Sequence, residues 1–273
     1  MIDPADPRQL DELLRRHRIT PKHRLGQNFL IDSRLRDAIA EAAGASEDDD
    51  VLEVGAGVGT LTIALAPRAH RVIAVELDRD LLPALWEVTR EFPDVEIVQG
   101  DILRLDIAAH LVAGNIPYNL TGALIRNLLG PPRRGRGEFP RPRRLSLVVQ
   151  KEVAERWTAT TAASLATVAV KVFAEARMVL TIPAAAFQPQ PRVDSALVVL
   201  EVRPKPAVNV EDYDAFFRFV ESVFQFRRKQ LGGILSRMGF SALPELGIDP
   251  TRRPQTLSLA EWEAMFRAVK TQV

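Results

Sequence analysis

The run Asn115-Ile116-Pro117-Tyr118-Asn119 brings together residue types that can present an aromatic amine for substitution. The lone pair of a nitrogen such as adenine N6 is delocalised into its ring, which makes it a poor nucleophile. Two acceptors that hold both of its hydrogens can draw the nitrogen toward tetrahedral geometry. The side-chain carbonyl of Asn115 and the backbone carbonyl of Ile116 can be those acceptors. Pro117 has no N–H and a fixed φ, so it holds the turn. Tyr118 can stack on the base, a contact worth roughly 1–3 kcal/mol. No strong general base is needed, because the proton becomes acidic only as the new bond forms. Orientation is then the main catalytic device. A base taken from a helix must first be extruded into such a pocket.

A second set of residues suits an adenosine-bearing cofactor. Gly55-Ala56-Gly57-Val58-Gly59 follows a short apolar run and precedes a helical one. Glycine lets the backbone turn sharply and approach a ligand closely. Dinucleotide enzymes use a near relative of this turn, and a tight turn with no ligand has the same look. The acids sharpen the reading. Glu76 ends the next strand about twenty residues on, where a carboxylate can accept hydrogen bonds from ribose hydroxyls. Asp101 follows Gly100 at the end of the third strand, where it can accept a bond from an adenine amine. Two acids at successive strand ends fit an adenosine without phosphates, whereas a pyrophosphate favours a less acidic cradle.

Both sets need elements that bring them to one sheet edge. Helical spacing over 8–18 puts Leu10, Leu13 and Leu14 on one face, and Pro21 stops the pattern. Asp32 can cap a second helix through Leu35 and Ile39 to Ala43, closed by Gly44. Strands are predicted at 51–54, 71–75, 95–98, 111–113 and 145–149, interleaved with helices at 61–66, 80–90, 123–129 and 152–157. This alternation implies a doubly wound, mostly parallel sheet. Runs at 178–182 and 196–202 would complete it as an antiparallel pair. Pro204-Lys205-Pro206 reads as a linker, and beyond it 212–224, 229–237 and 259–270 are helical only. The expected organisation is an α/β, Rossmann-like domain over 1–206, with a helical extension over 1–45, followed by a small all-helical domain over 207–273.

The chain of 273 residues is 47% hydrophobic and 26% charged, ordinary values for a packed protein. It has no cysteine, which excludes disulfides, thiolate zinc sites and cysteine nucleophiles. No metal site is expected. No apolar run approaches a membrane span, and the acidic, proline-bearing start is unlike a secretory signal, so a cytoplasmic protein is expected. A net charge of +1 does not by itself announce nucleic acid. Its distribution says more. Arginines crowd the Pro/Gly-rich stretch 131–144, at Arg133, Arg134, Arg136, Arg141, Arg143 and Arg144. Lys22-His23-Arg24 and Arg227-Arg228-Lys229 form two more clusters. Each alone reads as solvated surface; three beside candidate site motifs favour a surface that tracks phosphates.

Taken in order, the motifs resemble one family. They are Gly26-Gln27-Asn28-Phe29-Leu30, Leu52-Glu53-Val54-Gly55-Ala56-Gly57, Val75-Glu76-Leu77-Asp78, Gly100-Asp101, Gly114-Asn115-Ile116-Pro117-Tyr118-Asn119, Gln150-Lys151-Glu152-Val153, the stretch from Phe187 to Ser195, and Phe226-Arg227-Arg228-Lys229. Together they are similar to the small-subunit (16S) ribosomal RNA adenine dimethyltransferases. Those enzymes use S-adenosylmethionine to dimethylate N6 of two adjacent adenosines in the hairpin near the 3′ end of that RNA. The resemblance implies a cofactor set of Asn28, Leu30, Gly55, Gly57, Glu76, Leu77, Asp101, Ile102 and Asn115. Asn28 and Leu30 would meet the methionine end, Glu76 the ribose and Asp101 the adenine. It implies that Asn115, Ile116, Pro117 and Tyr118 form the reaction centre, with Phe187 on the second face of the base. Lys22, Arg24, Arg143, Arg144, Lys151, Arg227, Arg228 and Lys229 would hold RNA. The expected partner is small-subunit ribosomal RNA in an assembling 30S particle, and the expected state is a monomer.

Two segments depart from the family. Residues 158–164 lack the glycine and tyrosine usual after the Gln-Lys-Glu-Val helix, and the arginine- and proline-rich insert near Gly135 is individual. Other readings compete. DNA adenine methyltransferases favour a second proline where Ile116 stands. A related branch methylates large-subunit RNA. A binding protein acting in ribosome assembly or transcription would not need Asn115 or the glycines, and both are present. A dehydrogenase is disfavoured by Asp101 and the Asn-Ile-Pro-Tyr run.

Overall fold

The computed structural model describes residues 2–130, 141–240 and 243–271, so Arg133, Arg134 and Arg136 lie outside the described residues. Helix α1 (Pro7–Arg16) begins where Asp6 accepts from the N–H groups of Arg8 and Gln9, at 2.8 and 3.4 Å. Its buried face is Leu10, Leu13 and Leu14, as the spacing predicts. A two-residue strand β1 (Phe29–Leu30) precedes helix α2 (Ser33–Ala43). Asp32 caps α2, and Gly44 ends it at φ 64°. Such a cap stabilises by about 1 kcal/mol.

The predicted alternation follows: β2 (Asp50–Val54), α3 (Thr62–Leu65), β3 (Arg71–Glu76), α4 (Leu82–Thr89), β4 (Val95–Gln99), β5 (Leu111–Asn115), α5 (Thr121–Leu129), β6 (Arg144–Gln150) and α6 (Lys151–Thr158). Then come α7 (Leu165–Phe173), β7 (Ala174–Ile182), β8 (Phe187–Gln188), β9 (Ser195–Val202), and the helices α8 (Tyr213–Phe224), α9 (Leu231–Arg237) and α10 (Leu259–Thr271). Helix α7 has no counterpart in the sequence reading. Thr167, Val168, Ala169, Val170, Val172 and Phe173 are all buried, so no polar face marks the helical period. The one local signal is Ser164, which caps α7 by accepting from the Thr167 N–H at 3.1 Å. The departing segment before it is anchored: the Ala162 N–H donates to the Leu257 carbonyl at 2.7 Å.

Seven strands form one sheet in the order β4-β3-β2-β5-β6-β9-β7. The first five are parallel, and β9 runs antiparallel to both β6 and β7, as expected for the late pair. From β2 the chain builds outward through β3 and β4, then returns to place β5 and β6 on the other side. The order therefore reverses between β2 and β5. In open α/β sheets the crevice beyond the carboxyl ends at such a reversal is where ligands bind. Gly55 follows β2 and Asn115 ends β5, so both motifs open onto this crevice.

Helices cover both faces. Val51, Val72, Leu111, Val148 and Leu197 pack beneath Ile39, Ala43 and Leu65 of the α2–α3 side. Leu52, Val54, Val112, Leu145 and Leu147 face α5 and α7, and that cluster continues without a break into α8 and α10. Phe173 stacks on Phe217 with ring centroids 5.8 Å apart, and Phe216 meets Phe266 edge-on at 5.4 Å. The predicted linker is pinned at its flanks, because Arg203 and Ala207 donate to the carbonyls of Phe173 and Val172, at 2.7 and 2.8 Å. No helix among the described residues is long and apolar enough to cross a membrane.

Candidate active site

The crevice is a cleft of about 1020 Å³ counted out to its open mouth. All nine residues expected to hold the cofactor line it: Asn28, Leu30, Gly55, Gly57, Glu76, Leu77, Asp101, Ile102 and Asn115. Two features bring them together. The glycine turn at β2 has φ of 73°, 61° and 91° at Gly55, Gly57 and Gly59, a left-handed backbone that keeps side chains off this wall. At the end of β5, a Cβ on Gly114 would stand 2.6 Å from the Val54 carbonyl oxygen. Glycine there lets β5 close on β2 and sets Asn115 beside the turn.

Glu76 does more than the sequence reading assigned it. Its Oε2 accepts from the Gly57 N–H at 2.8 Å and its Oε1 from the Asp78 N–H at 2.7 Å. The carboxylate thus fixes the glycine turn and the start of the next loop, while each oxygen keeps a further lone pair for a ribose hydroxyl. Burial raises its pKa, and the backbone N–H groups oppose that rise. Asp101 Oδ1 accepts from the Leu103 N–H at 3.0 Å, and its side chain stays 35% exposed toward the mouth.

Asn115 is held by a bond across the crevice. Its Nδ2 donates to the Asn28 carbonyl oxygen at 2.9 Å. A carbonyl can only accept, so the amide nitrogen must face Asn28 and Oδ1 is left as an acceptor. Asn28 is itself placed by β1, which pairs antiparallel with β8 (Leu30 opposite Phe187), and by a latch on the preceding loop. In that latch the Asp78 carboxylate accepts from Gln27 Nε2 at 2.7 Å and from Lys22 Nζ at 2.6 Å. Burial disfavours the Asp78 charge, yet the bonds from Lys22 and Gln27 outweigh it and hold the carboxyl below its usual range.

Pro117 lines the cleft, whereas the side chains of Ile116, Tyr118 and Phe187 do not. Ile116 points into the core at 1% exposure, and its N–H donates to the Val148 carbonyl at 3.0 Å, so only its own carbonyl is available for substrate. Tyr118 is tied to β9 by a 2.8 Å hydrogen bond between its hydroxyl and Ser195 Oγ. Burial raises the Tyr118 pKa, so the phenol stays neutral. Phe187, expected against the base, is 3% exposed and packs in the core cluster with Leu30, Ile182 and Ala186. In the β1–β8 pair it stands opposite Leu30.

The expected RNA contacts divide. Arg144 opens β6 level with Leu111, with Arg143 just before it, whereas Asn115 is level with Val148. Four residues of strand separate them, about 13 Å. Both are also paired: Arg143 is bidentate to Asp49, and Arg144 meets Glu201 at 2.7 Å. The Arg143 guanidinium holds the Asp49 carboxyl far below its usual range. Lys22 is bound by Asp78 and Asp80. Arg141, from the same arginine-rich stretch, donates to the Leu129 carbonyl and lies 4.0 Å above the Phe173 ring. Arg24 and the turn Arg227-Arg228-Lys229 are exposed, and Lys151 starts α6 at the site edge of β6; none has an ion pair to another described residue.

Glu53 is the residue the sequence reading passed over. A carboxylate inside the apolar central strand β2 was the available signal. It lines the cleft at 1% exposure, and burial pushes its pKa up to about 8. The cleft therefore offers acids at the strand ends, a backbone cradle, and at its floor a buried acceptor, Glu53 Oε2, with no partner among the described residues. This donor and acceptor set fits S-adenosylmethionine.

Comparison with known proteins agrees with this geometry. A model of the ribosomal RNA adenine dimethylase family matches residues 19–270. Ribosomal RNA small subunit methyltransferase A of Pelotomaculum thermopropionicum is 40% identical, the match covering 97% of this chain and 97% of that one. The protein of the same name from Geobacillus thermodenitrificans is 37% identical, covering 98% and 97%. Among solved structures, the 23S rRNA methyltransferase ErmE is 28% identical with a TM-score of 0.68, covering 89% of this chain and 100% of that one. A dimethyladenosine transferase from Plasmodium falciparum has the same fold, with a TM-score of 0.72 at 24% identity over 89% of this chain and 98% of its own. A family match running nearly end to end, on a cleft whose walls are that family's motifs, places the chain in the ribosomal RNA adenine dimethylase family.

Proposed function

We propose that this enzyme uses S-adenosylmethionine to dimethylate N6 of two adjacent adenosines in the 3′-terminal hairpin of small-subunit ribosomal RNA, acting as a cytoplasmic monomer on the assembling 30S particle. The observation that carries the chemistry is the locked Asn115 amide, whose Nδ2 is committed to Asn28 and whose Oδ1 is free to accept. When bound, S-adenosylmethionine supplies an activated methyl group on a sulfonium. The residues of the chain do the rest. Asn115 Oδ1 and the Ile116 carbonyl accept the two N6 hydrogens and turn the nitrogen lone pair out of the ring plane. Tyr118, held by Ser195, stacks on the base and fixes its tilt. Glu76 keeps the glycine turn in shape and receives the ribose, and Asp101 receives the adenine amine. After one methyl has been added, a single N6 hydrogen remains, so stacking on Tyr118 carries more of the orientation in the second round.

The small-subunit substrate is favoured by likeness: relatives bearing that name are 37–40% identical, against 28% for the 23S enzyme. Of the expected RNA contacts, Arg24, Lys151 and the exposed Arg227-Arg228-Lys229 turn are the cations without an ion pair to another described residue, and the C-terminal helices α8–α10 present the last of these as an RNA-holding unit. The test is to supply labelled S-adenosylmethionine with unmethylated small subunits, large subunits and DNA in parallel. Label is expected in small subunits alone; label in DNA or large-subunit RNA would overturn the substrate assignment.

A further inference from the structure

Asp78 lies just beyond β3, is 6% exposed and is not part of the cleft wall. Its hydrogen bonds nonetheless join the two halves of the site. On the ribose side its N–H donates to Glu76 Oε1 at 2.7 Å. On the other side Oδ2 accepts from Gln27 Nε2 at 2.7 Å and Oδ1 from Lys22 Nζ at 2.6 Å, both on the loop 22–28. Gln27 closes the circuit, because its Oε1 accepts from the Lys22 N–H at 2.7 Å.

The loop so held is the one that meets the reaction centre. Gly26 has a φ of 66° and lies against Pro117: a Cβ there would stand 3.1 Å from the Pro117 Cβ. Two residues on, the Asn28 carbonyl accepts from Asn115 Nδ2 at 2.9 Å. Hydrogen bonds therefore run from Glu76 through Asp78 to Gln27, and from its neighbour Asn28 across to Asn115. No residue from Pro21 to Asn28 is buried, so apolar packing does little to fix this loop. Bonds to an ionised carboxylate are stronger than neutral ones and can do so instead.

We propose that Asp78 is a positioning residue for methyl transfer: through Gln27 and Lys22 it holds the loop 22–28 and so sets the Asn115 acceptor against the cofactor, and Lys22 serves this loop rather than RNA. The inference rests on the S-adenosylmethionine reading of the cleft and on Asn115 as the acceptor. Asp78 meets no reacting atom; it acts on the rate through the Asn28 carbonyl and the contact of Gly26 with Pro117. Cofactor contacts at the ribose, remote from the methyl, then help to orient the acceptor. A displacement of about 1 Å at a reacting group can cost on the order of 100-fold in rate.

The test is single-turnover transfer of labelled methyl to unmethylated small subunits, with cofactor and subunits both saturating. Affinity for S-adenosylhomocysteine and thermal stability are measured on the same full-length proteins. Asp78→Asn turns an acceptor into a donor facing Gln27 or Lys22, and the rate should fall by about 10- to 100-fold. Gln27→Glu sets two carboxylates together and should also be slow. The exchanged pair, Asp78→Asn with Gln27→Glu, keeps the net charge and restores one donor facing one acceptor in the reverse order. It should return the rate to within a few-fold of wild type. A role confined to stability would lower Tm and leave the saturated rate alone. Lys22→Gln, at a half-buried position on the loop, keeps the test open where the Asp78 variants fold poorly. It should slow transfer and leave the salt dependence of RNA binding unchanged, whereas loss of a phosphate contact would lower the logarithmic salt slope by about 1.

A wild-type rate in Asp78→Asn, recovery of that rate by added cofactor, an exchanged pair no faster than Asp78→Asn, or a lowered salt slope in Lys22→Gln would each overturn the proposal. Absence of methyl transfer by the wild-type protein would instead overturn the functional reading, and this inference with it.

Discussion

Substituting Asn115 separates the two jobs of one amide. Nδ2 tethers the Asn28 carbonyl at 2.9 Å, and Oδ1 is the proposed acceptor for an N6 hydrogen. Asn115→Ala removes both. Loss of the tether costs about 0.5–1.5 kcal/mol, the net worth of one such bond, so cofactor affinity should fall by roughly 2- to 13-fold. Loss of a fixed polar group aimed at developing charge costs more, about 2.7–4 kcal/mol, or a factor on the order of 10²–10³ in kcat. Asn115→Asp keeps an acceptor but sets an oxygen against the Asn28 carbonyl, at a cost of about 1–3 kcal/mol for the unsatisfied contact. The aspartate variant should therefore be the less stable protein and the faster enzyme of the two. Single-turnover transfer of labelled methyl, with cofactor affinity measured separately by calorimetry, resolves the two effects. An alanine variant within a few-fold of wild-type kcat, or one faster than the aspartate variant, would refute the acceptor role.

Four further outcomes follow from the same geometry. Tyr118→Ala should shift the product from dimethyl- toward monomethyladenosine, read by nucleoside mass spectrometry, because the second round has one hydrogen fewer to hold; Tyr118→Phe, which loses only the bond to Ser195, should shift it less. Replacing Arg227, Arg228 and Lys229 together by alanine should weaken RNA binding and reduce its logarithmic salt slope by about 2–3, with cofactor affinity unchanged. Arg143→Ala should instead lower thermal stability and leave that slope alone, since Arg143 is spent on Asp49 at the far edge of the sheet. Gly114→Ala must push β5 away from Val54; a loss of about 1–3 kcal/mol should appear as a lower Tm, accompanied by slower transfer because Asn115 moves with the strand.

The cofactor side of the cleft was legible in the sequence because its signals are local. Glycines at a turn, and acids one strand apart, announce themselves by spacing, and a parallel sheet converts that spacing into one edge. Elements defined by distant partners were not legible. The β1–β8 pair joins residues far apart in the chain, and neither two-residue strand has a period to detect. Helix α7 is buried nearly all round, which erases the pattern that reveals a helix. Charge clusters are read only in part for a related reason: sequence shows that cations are adjacent, not which acids they meet. Lys22 is bound to Asp78 and Asp80, and Arg143 to Asp49, whereas the equally plain Arg227-Arg228-Lys229 is exposed. Phe187 sits in a motif, but burial is a property of the fold, and there it is core. Glu53 was visible as an acid within an apolar strand; its significance needed the absence of a partner, which only three-dimensional neighbours reveal.

The account stands most directly on the identity of the product. Unmethylated small subunits incubated with the enzyme and S-adenosylmethionine, then digested and sequenced by mass spectrometry, should carry N6,N6-dimethyladenosine at two adjacent positions of the 3′-terminal hairpin. Methylation confined to another atom, to another nucleoside, or to large-subunit RNA supplied in the same reaction would contradict it.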